Sequence, residues 1–259
     1  MGDAPPPTST PAKRPMLNRR ALRLKARLWN VSTWILAACV GVFLLQIAQT
    51  QAGNPWLYNW GNFNADDALL GGQVWRFITF QFLHANLLHI GVNAVGLWVF
   101  GPMVERRVGR AKTLVLYLLC GIGGAVGYVA LWQLGFIRLT LETPLIGASA
   151  GAFGLIAAAM ALFPNRILAL AMPPIDITIF RFGMVYLALG AFAVIAYGPT
   201  GRGNAGGEAA HLGGALAGFL LARNLGLIAW VERISPKRLR NIGHGSRRHQ
   251  LRPAKPPRV

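Results

Sequence analysis

The sequence predicts an all-α, polytopic membrane protein, and three observations carry this prediction. Only 13% of the 259 residues are charged and 54% are hydrophobic, whereas a soluble domain usually carries about 25% charged residues. Long stretches without charge recur along the chain, and five of them reach the ~20 residues that a helix needs to cross hydrocarbon. Basic residues are concentrated between alternate stretches. This pattern argues against both a soluble enzyme and a disordered protein.

The charge-free stretches divide the chain into a membrane domain and two tails. They predict six transmembrane helices, near residues 31–48, 84–104, 113–134, 148–164, 179–198 and 208–229. The sixth contains Arg223, whose long side chain can reach an interface from a helix end. We therefore expect a membrane domain over residues 30–230. Residues 1–29 and 231–259 are rich in basic residues and proline, which predicts disordered tails.

The basic residues indicate the orientation of the helices. The chain has 26 Lys and Arg against 8 Asp and Glu, a formal charge of +18. With six spans, all of these basic residues except Arg76, Arg138 and Arg202 fall on the side of the two tails. The positive-inside rule then predicts cytoplasmic tails. We interpret the charge as a topology signal with weak attraction to anionic lipid, and we expect no nucleic-acid partner.

Polar residues recur at the start of every second predicted helix. His84, His89 and Asn93 open the second, residues 147–151 the fourth and residues 210–214 the sixth. These three helices run inward from the non-cytoplasmic side, so their polar starts share one membrane level. Polar groups are costly in a bilayer and need a partner or a function. Their coincidence at one depth therefore predicts a functional site.

Each polar set also has a structural interpretation when taken alone. A serine in a membrane helix usually bonds to its own backbone, and pairs such as Gly214 and Gly218 commonly pack helices tightly. Gly147-x-Ser149-x-Gly151 matches the nucleophile-elbow string, but that motif needs a strand before its helix. No strand pattern precedes this one, so we reject the elbow and keep the serine as a candidate.

In their order and spacing, these motifs resemble the rhomboid intramembrane serine proteases. The resemblance covers roughly residues 71–221. It rests on Trp75-Arg76, His84…His89…Asn93, Gly101-x-x-x-Glu105-Arg106-x-x-Gly109, Gly147-Ala148-Ser149, Phe153-Gly154 and Ala210-His211-x-x-Gly214-x-x-x-Gly218. One departure is Ala150, where most members have glycine, although the residue remains small. The resemblance implies a six-helix rhomboid bundle.

The resemblance also implies a catalytic dyad. Ser149 would be the nucleophile and His211 the general base and later the acid, because a serine hydroxyl needs a base to take its proton. By the same resemblance, His89, Asn93 and the backbone N–H of Ser149 would bind the oxyanion. Glu208 is expected in the loop before the sixth helix, which argues against a triad.

Further positions are expected to support this site. They are His84, Phe153, Gly147, Gly151, Gly214, Gly218, Trp75 and Arg76. Phe153 follows Ser149 by one turn and is expected to stack on the imidazole of His211. The glycines of the fourth and sixth helices would let these helices approach closely. The Trp-Arg pair would anchor the first loop at the interface, and His84 would form hydrogen bonds near the start of the second helix.

The predicted function is the hydrolysis of single-pass or polytopic membrane proteins in or near their transmembrane helices. The expected location is a bacterial inner membrane, with the site toward the non-cytoplasmic side. Cys39 and Cys120 lie in apolar runs and predict packed thiols, and we expect no metal or other cofactor. A catalytically inactive rhomboid-like protein that binds membrane clients, and a small transporter, are the alternatives. The oligomeric state is left open.

Overall fold

The chain folds into a bundle of helices with one short hairpin. The computed structural model describes residues 30–138, 140, 142–169 and 174–234. The six helices of more than ten residues in this part are α1 (Val31–Gln51), α2 (Leu87–Val108), α3 (Arg110–Gln133), α4 (Ser149–Leu162), α5 (Ile179–Tyr197) and α6 (Ala205–Arg223). The predicted tail 1–29 and residues 235–259 of the second tail lie outside the described residues.

Shorter elements connect these helices. The helical segments are Trp56–Gly61, the π-helix Asp66–Leu70, Arg76–Thr79, the 3₁₀ turns Phe80–Phe82, Gly198–Thr200 and Leu225–Ile228, and Val231–Ile234. An antiparallel hairpin of β1 (Ile167–Ala169) and β2 (Asp176–Thr178) lies between α4 and α5, with Leu168 opposite Ile177. The sequence did not predict this hairpin. The fold is therefore mostly helical, as predicted, with one small β element.

Helix length distinguishes α4 from its neighbours. By length and composition, α1, α2, α3 and the segment Ile179–Thr200 can each cross a membrane. The helix α6 passes the same test only together with the segment Leu225–Ile234, from which it is bent by 92°. With 14 residues, α4 spans about 21 Å, less than a typical hydrocarbon core of ~30 Å.

The sixth helix ends earlier than predicted. It stops at Arg223, and the Asn224 side-chain amide donates to the carbonyl of Leu220 (3.0 Å). A side-chain donor can satisfy a terminal carbonyl, so the helix ends there and a 3₁₀ turn follows. The segment Val231–Ile234 is a helical turn, although a disordered tail was predicted from residue 231.

The shortest long helix lies at the centre of the bundle. Ten of the 14 residues of α4 are buried, and it packs against α2, α3, α5 and α6. Five of these ten buried residues are alanine and two are glycine, which lets the neighbouring helices approach closely. The two cysteines are buried free thiols within the bundle, as predicted.

One hydrogen bond and two ion pairs connect several helix ends at one end of the bundle. The backbone N–H of Val31 donates to Glu105 at the end of α2 (2.6 Å). Glu105 also pairs with Arg110 at the start of α3 (3.1 Å), and Lys112 pairs with Glu232 beyond α6 (2.7 Å). The start of α1 and the chain after α6 therefore lie together, and the starts of α2, α4 and α6 lie at the opposite end.

Candidate active site

Ser149 is the first residue of the central helix. Gly147 precedes it with φ +124°, a conformation that favours glycine, and the Gly147 N–H donates to the carbonyl of Phe80 (2.9 Å). This turn brings the chain into α4 beside the first loop. The first N–H groups of a helix have no partner within the helix, so the Ser149 N–H belongs to a set of donors at the positive end of α4.

His211 lies in the second turn of α6 and is held by two side chains. Its ring stacks on Phe153 of α4, with centroids 4.2 Å apart and planes 5° apart. Its Nδ1 lies 3.1 Å from Oε2 of Glu208. Glu208 belongs to the first turn of α6, which begins at Ala205, so the prediction that it lies in the loop is wrong. The imidazole thus has a ring on one face and a carboxylate at one nitrogen.

The backbones of α4 and α6 bring Ser149 and His211 into one neighbourhood. A Cβ at Gly124 of α3 would lie 2.5 Å from the Cβ of Ala150 and 2.8 Å from the carbonyl oxygen of Ala210. Ala150, next to the serine, and Ala210, next to the histidine, therefore both pack against Gly124. Among the described residues, no hydrogen bond joins Ser149 Oγ to His211; in ligand-free enzymes such bonds are often long and tighten when substrate binds.

A second histidine links α2 to the loop that leads into α4. His84 Nδ1 lies 3.2 Å from the carbonyl of Phe82 and donates to it. Its Nε2 then accepts from the Asn93 side-chain amide (3.0 Å) and from the Ala148 N–H (3.5 Å). Gln46 of α1 bonds to both the N–H and the C=O of His84. His84 is thus a buried residue whose hydrogen bonds connect α1, α2 and the loop before α4, and its ring orients the Asn93 side chain.

Burial decides the charge state of His84, which precedes α2. Its side chain is almost fully buried. Burial lowers the pKa of His84 from 6.5 to about 4, the neighbouring His89 acts in the same direction, and the hydrogen bond to the Phe82 carbonyl opposes both. The ring is therefore neutral at physiological pH, as its mixed donor and acceptor contacts require.

His89 presents one ring nitrogen toward the start of α4. Asn86 caps α2 by accepting from the His89 N–H (2.9 Å), and the Ala85 N–H donates to His89 Nδ1 (3.5 Å). With Nδ1 an acceptor, the neutral ring carries its proton on Nε2. A Cβ on Gly147 would lie 2.7 Å from this Nε2 and 3.6 Å from Ser149 Oγ. His89 Nε2 and the serine hydroxyl thus flank the same glycine.

Loop 1 (residues 52–86) is organised around a buried arginine. The Arg76 guanidinium pairs with Asp67 (2.7 Å) and donates to the carbonyls of Asn59 (2.9 Å) and Asn62. Arg76 is thus held by an ion pair with a partly exposed carboxylate and by two backbone carbonyls, and its role as an interfacial anchor stays a prediction. Its neighbour in the Trp-Arg motif is exposed: the ring of Trp75 stacks on a second tryptophan of the loop at 5.8 Å.

Glycines give α6 a close approach to α4. A Cβ at either Gly214 or Gly218 would overlap a backbone oxygen of α4, so only glycine permits the observed spacing. Gly151 packs instead against the Tyr117 ring of α3. The predicted close contact of α4 and α6 is present, and Gly151 extends the tight packing to a third helix.

Comparison with known proteins identifies the family. The Rhomboid domain model matches residues 71–227, more than half of the chain. The chain belongs to the rhomboid family. This confirms the family predicted from the sequence motifs.

Rhomboids from bacteria and from yeast mitochondria are similar to this chain. The rhomboid protein YdcA of Bacillus subtilis is 30% identical over 76% of this rhomboid and 88% of its own length. The rhomboid protease GluP of the same organism is 29% identical over 71% of this chain and 32% of its own length. The mitochondrial rhomboid protein 1 of Saccharomyces cerevisiae is 31% identical over 54% and 38%. The match with this rhomboid thus covers only about a third of the length of GluP and of the yeast protein.

The family match and the apolar helices identify this rhomboid as an integral membrane protein. At the level of the family, it is related to intramembrane proteases. Within the described ranges, no group of three or more His, Cys, Asp or Glu side chains could hold a metal ion.

Sequence reasoning missed several residues that shape this site. Glu208 was expected in the loop before α6, but α6 begins at Ala205 and includes it. Asn86 precedes His89 by three residues, which is the spacing of a helix cap and could have indicated the start of α2. Gln46 of α1 carries no comparable signal, because its partner lies 38 residues away.

Proposed function

We propose that this rhomboid is an intramembrane serine endopeptidase that hydrolyses peptide bonds in or near the transmembrane helices of membrane-protein substrates. Ser149 is the nucleophile, and His211 is the general base and then the general acid. The observation that carries the proposal is the stack of His211 on Phe153, because Phe153 is one helical turn from the serine. The ring of the base is thereby held beside the start of α4.

The reaction needs only the groups of this dyad and water. His211 takes the hydroxyl proton as Ser149 Oγ bonds to the peptide carbonyl carbon, which forms a tetrahedral oxyanion. The C–N bond then breaks, and the imidazolium gives its proton to the leaving amine. Water attacks the resulting ester with His211 again as base. The new carboxyl product leaves and the serine hydroxyl is restored.

Three donors are available for the oxyanion. The Nε2–H of His89, the side-chain amide of Asn93 and the backbone N–H of Ser149 all belong to the starts of α2 and α4. Each aimed donor in such a hole typically contributes about 2.7–4 kcal/mol to transition-state stabilisation. The hydrogen bond from Asn93 to His84 supports this assignment, because it uses one amide hydrogen and orients the second.

We further propose six spans, with both tails cytoplasmic and the active site toward the non-cytoplasmic side of a bacterial inner membrane. The excess of basic residues on the side of the tails supports this orientation. The contacts of Glu105 and Lys112 also support it, because they bring both described chain ends to the end of the bundle opposite the polar site. The short helix α4 is enclosed by other helices, so its length does not prevent membrane insertion.

Topology can be tested with reporters. An alkaline phosphatase fused after residue 259 should be inactive in a bacterial host, and one inserted at exposed Glu142 should be active. The reverse result would overturn the orientation.

The substrate must expose a peptide bond to the serine. Backbone groups within a helix are bonded to one another, so the target helix has to unwind locally near the non-cytoplasmic interface. Small or helix-breaking residues reduce the cost of this unwinding. We therefore propose substrates whose transmembrane helices carry such residues near that interface.

The central test is cleavage of a transmembrane test substrate by the purified protein in detergent and in liposomes. The parent should cleave it, and Ser149→Ala and His211→Ala should not. Ser32→Ala is a matched control, because Ser32 lies on α1 and its buried hydroxyl has no hydrogen-bond partner among the described residues. This control should retain cleavage.

Two outcomes would overturn the proposal. Equal cleavage by the parent, Ser149→Ala and His211→Ala would indicate a contaminating protease. Specific binding of the test helix without cleavage by any form would favour the alternative, an inactive rhomboid-like protein that binds membrane clients.

A further inference from the structure

The carboxylate of Glu208 approaches the nitrogen of His211 that the dyad leaves unused. Glu208 Oε2 lies 3.1 Å from His211 Nδ1. The side chain of Glu208 is 26% exposed and that of His211 is 13% exposed. The ion pairs of Asp67, Glu105 and Glu232 are with basic residues elsewhere, and among the described residues the carboxylate that contacts the imidazole is that of Glu208. Glu208 is therefore the carboxylate assigned to the imidazole.

This contact selects one form of the imidazole. A neutral imidazole has one N–H donor and one acceptor nitrogen, and the partner of one nitrogen decides which is which. A carboxylate accepts hydrogen bonds, so it holds the proton on His211 Nδ1. The lone pair is then on Nε2, the nitrogen that has to receive the Ser149 proton. The carboxylate also stabilises the imidazolium that forms when this proton arrives.

The position of the carboxylate depends on α5 as well as α6. A Cβ at Gly190 of α5 would lie 3.1 Å from Glu208 Oε2 and 3.7 Å from the side chain of Leu212. The carboxylate thus lies in the contact between the two helices, beside a position where glycine leaves it room. It is partly shielded from water, which strengthens its interaction with the imidazole.

We propose that Glu208 is a positioning residue for His211, so that the site works as a Ser149–His211–Glu208 arrangement. This inference rests on the proposed function. Its role is to hold the Nδ1–H form of the ring and to stabilise the imidazolium, while Phe153 fixes the plane of the ring. The other titratable groups near the imidazole are His89, at the start of α2, and Tyr186 of α5, which contacts Phe153.

The kinetic constants of two Glu208 variants provide the test. In Glu208→Gln the amide oxygen can still accept from Nδ1, but the negative charge is lost. We expect kcat to fall at least about tenfold with KM changed less than about twofold. Glu142→Gln, in an exposed loop position, makes the same chemical change as a control and should leave kcat and KM unchanged.

A second variant separates this role from a purely structural one. An acidic residue in the first turn also stabilises a helix through its dipole. Glu208→Asp keeps that charge but is one methylene shorter, so it should lose the contact with Nδ1. We expect it to unfold at the parental temperature and to have reduced kcat. Parental kcat in Glu208→Asp or in Glu208→Gln would overturn the positioning role.

The outcome is separable from the proposed function. If Ser149→Ala abolishes cleavage while both Glu208 variants match the parent, the positioning role fails and the dyad stands. If Ser149→Ala retains cleavage, the proposed protease itself fails.

Discussion

The rings of Phe153 and His211 lie face to face, with centroids 4.2 Å apart and planes only 5° apart. Phe153 in turn contacts Tyr186 of α5 edge to face at 5.9 Å. The imidazole is therefore one layer of an aromatic stack that joins α4, α5 and α6. Such a stack restricts rotation of the ring while its edge stays accessible.

Loss of the stack should impair catalysis more than folding. In Phe153→Leu most of the apolar volume remains but the aromatic face is lost. An aromatic pair contributes about 0.5–1.5 kcal/mol beyond its area, so we expect kcat to fall roughly two- to tenfold and the unfolding temperature to change little. Phe153→Tyr keeps the face and should retain kcat. Equal losses of kcat and stability in the leucine variant would argue against an orienting role.

Gly147 should not tolerate a side chain. Its φ of +124° is unfavourable for other residues, and a Cβ would lie 2.7 Å from His89 Nε2. We expect Gly147→Ala to lower kcat/KM at least about tenfold. Gly109→Ala is the matched control, because Gly109 also has a positive φ, of +88°, but no atom lies within 4 Å of its added Cβ. The control should lose some stability and keep kcat/KM; similar kcat/KM in both variants would contradict a local effect.

The approach of α6 to α4 should depend on Gly214. Its added Cβ would overlap backbone, which cannot move aside as a flexible side chain can. We expect Gly214→Ala to destabilise the protein by about 1–3 kcal/mol and to reduce cleavage, because the base moves away from the serine. Gly41→Ala on α1 has open space around it and should be neutral or slightly stabilising. Thermal unfolding in detergent measures the stability of both variants. Parental stability and cleavage in Gly214→Ala would contradict the close contact.

Acid should destabilise the fold through His84. Its pKa is about 4 in the folded chain and 6.5 ordinarily. Between these values the unfolded chain binds more protons than the folded chain, so stability falls as pH decreases from 6.5 toward 4. At pH 4 the free energy of unfolding is lowered by roughly 2–3 kcal/mol through this group, relative to neutral pH.

Thermal unfolding at pH 7 and pH 4.5 tests this expectation. The parent should lose stability over this interval. His84→Gln should start from a lower unfolding temperature, because the ring contacts with Asn93 and with the Ala148 N–H are perturbed, and should show a weaker dependence on pH. An equally steep pH dependence in the variant would assign the effect to other groups.

The sequence predicted the helices more accurately than the contacts between them. The starts of α1 and α5 agree with prediction because apolar runs and cap residues such as Asn30 are local signals. The end of α6 at Arg223 depends on a side-chain bond from Asn224, and apolar residues continue past it. The helical state of Gly206 and Gly207 reflects packing of their helix against neighbours, which overrides their low helix propensity.

The candidate site shows the same division between local and distant information. The shared face of His89 and Asn93 was evident from their spacing, and one turn separates Ser149 from Phe153. The contacts of Asn93 with His84, and of Glu208 with Gly190, depend on rotamers and on helices distant in sequence. No pattern along the chain reports such contacts.

The small number of residues in α4 has a consequence for where a substrate would be cut. This helix rises from the end of the bundle that holds both described chain ends, and its 14 residues lift Ser149 by about 21 Å. The hydroxyl of Ser149, the proposed nucleophile, therefore lies below the far ends of the longer helices, at a height determined by the number of residues in α4. Each residue added to α4 would raise it by about 1.5 Å and rotate it by about 100°. Under the proposed function, the depth of the cut bond within a client helix would thus depend on the length of α4 as well as on the client's sequence.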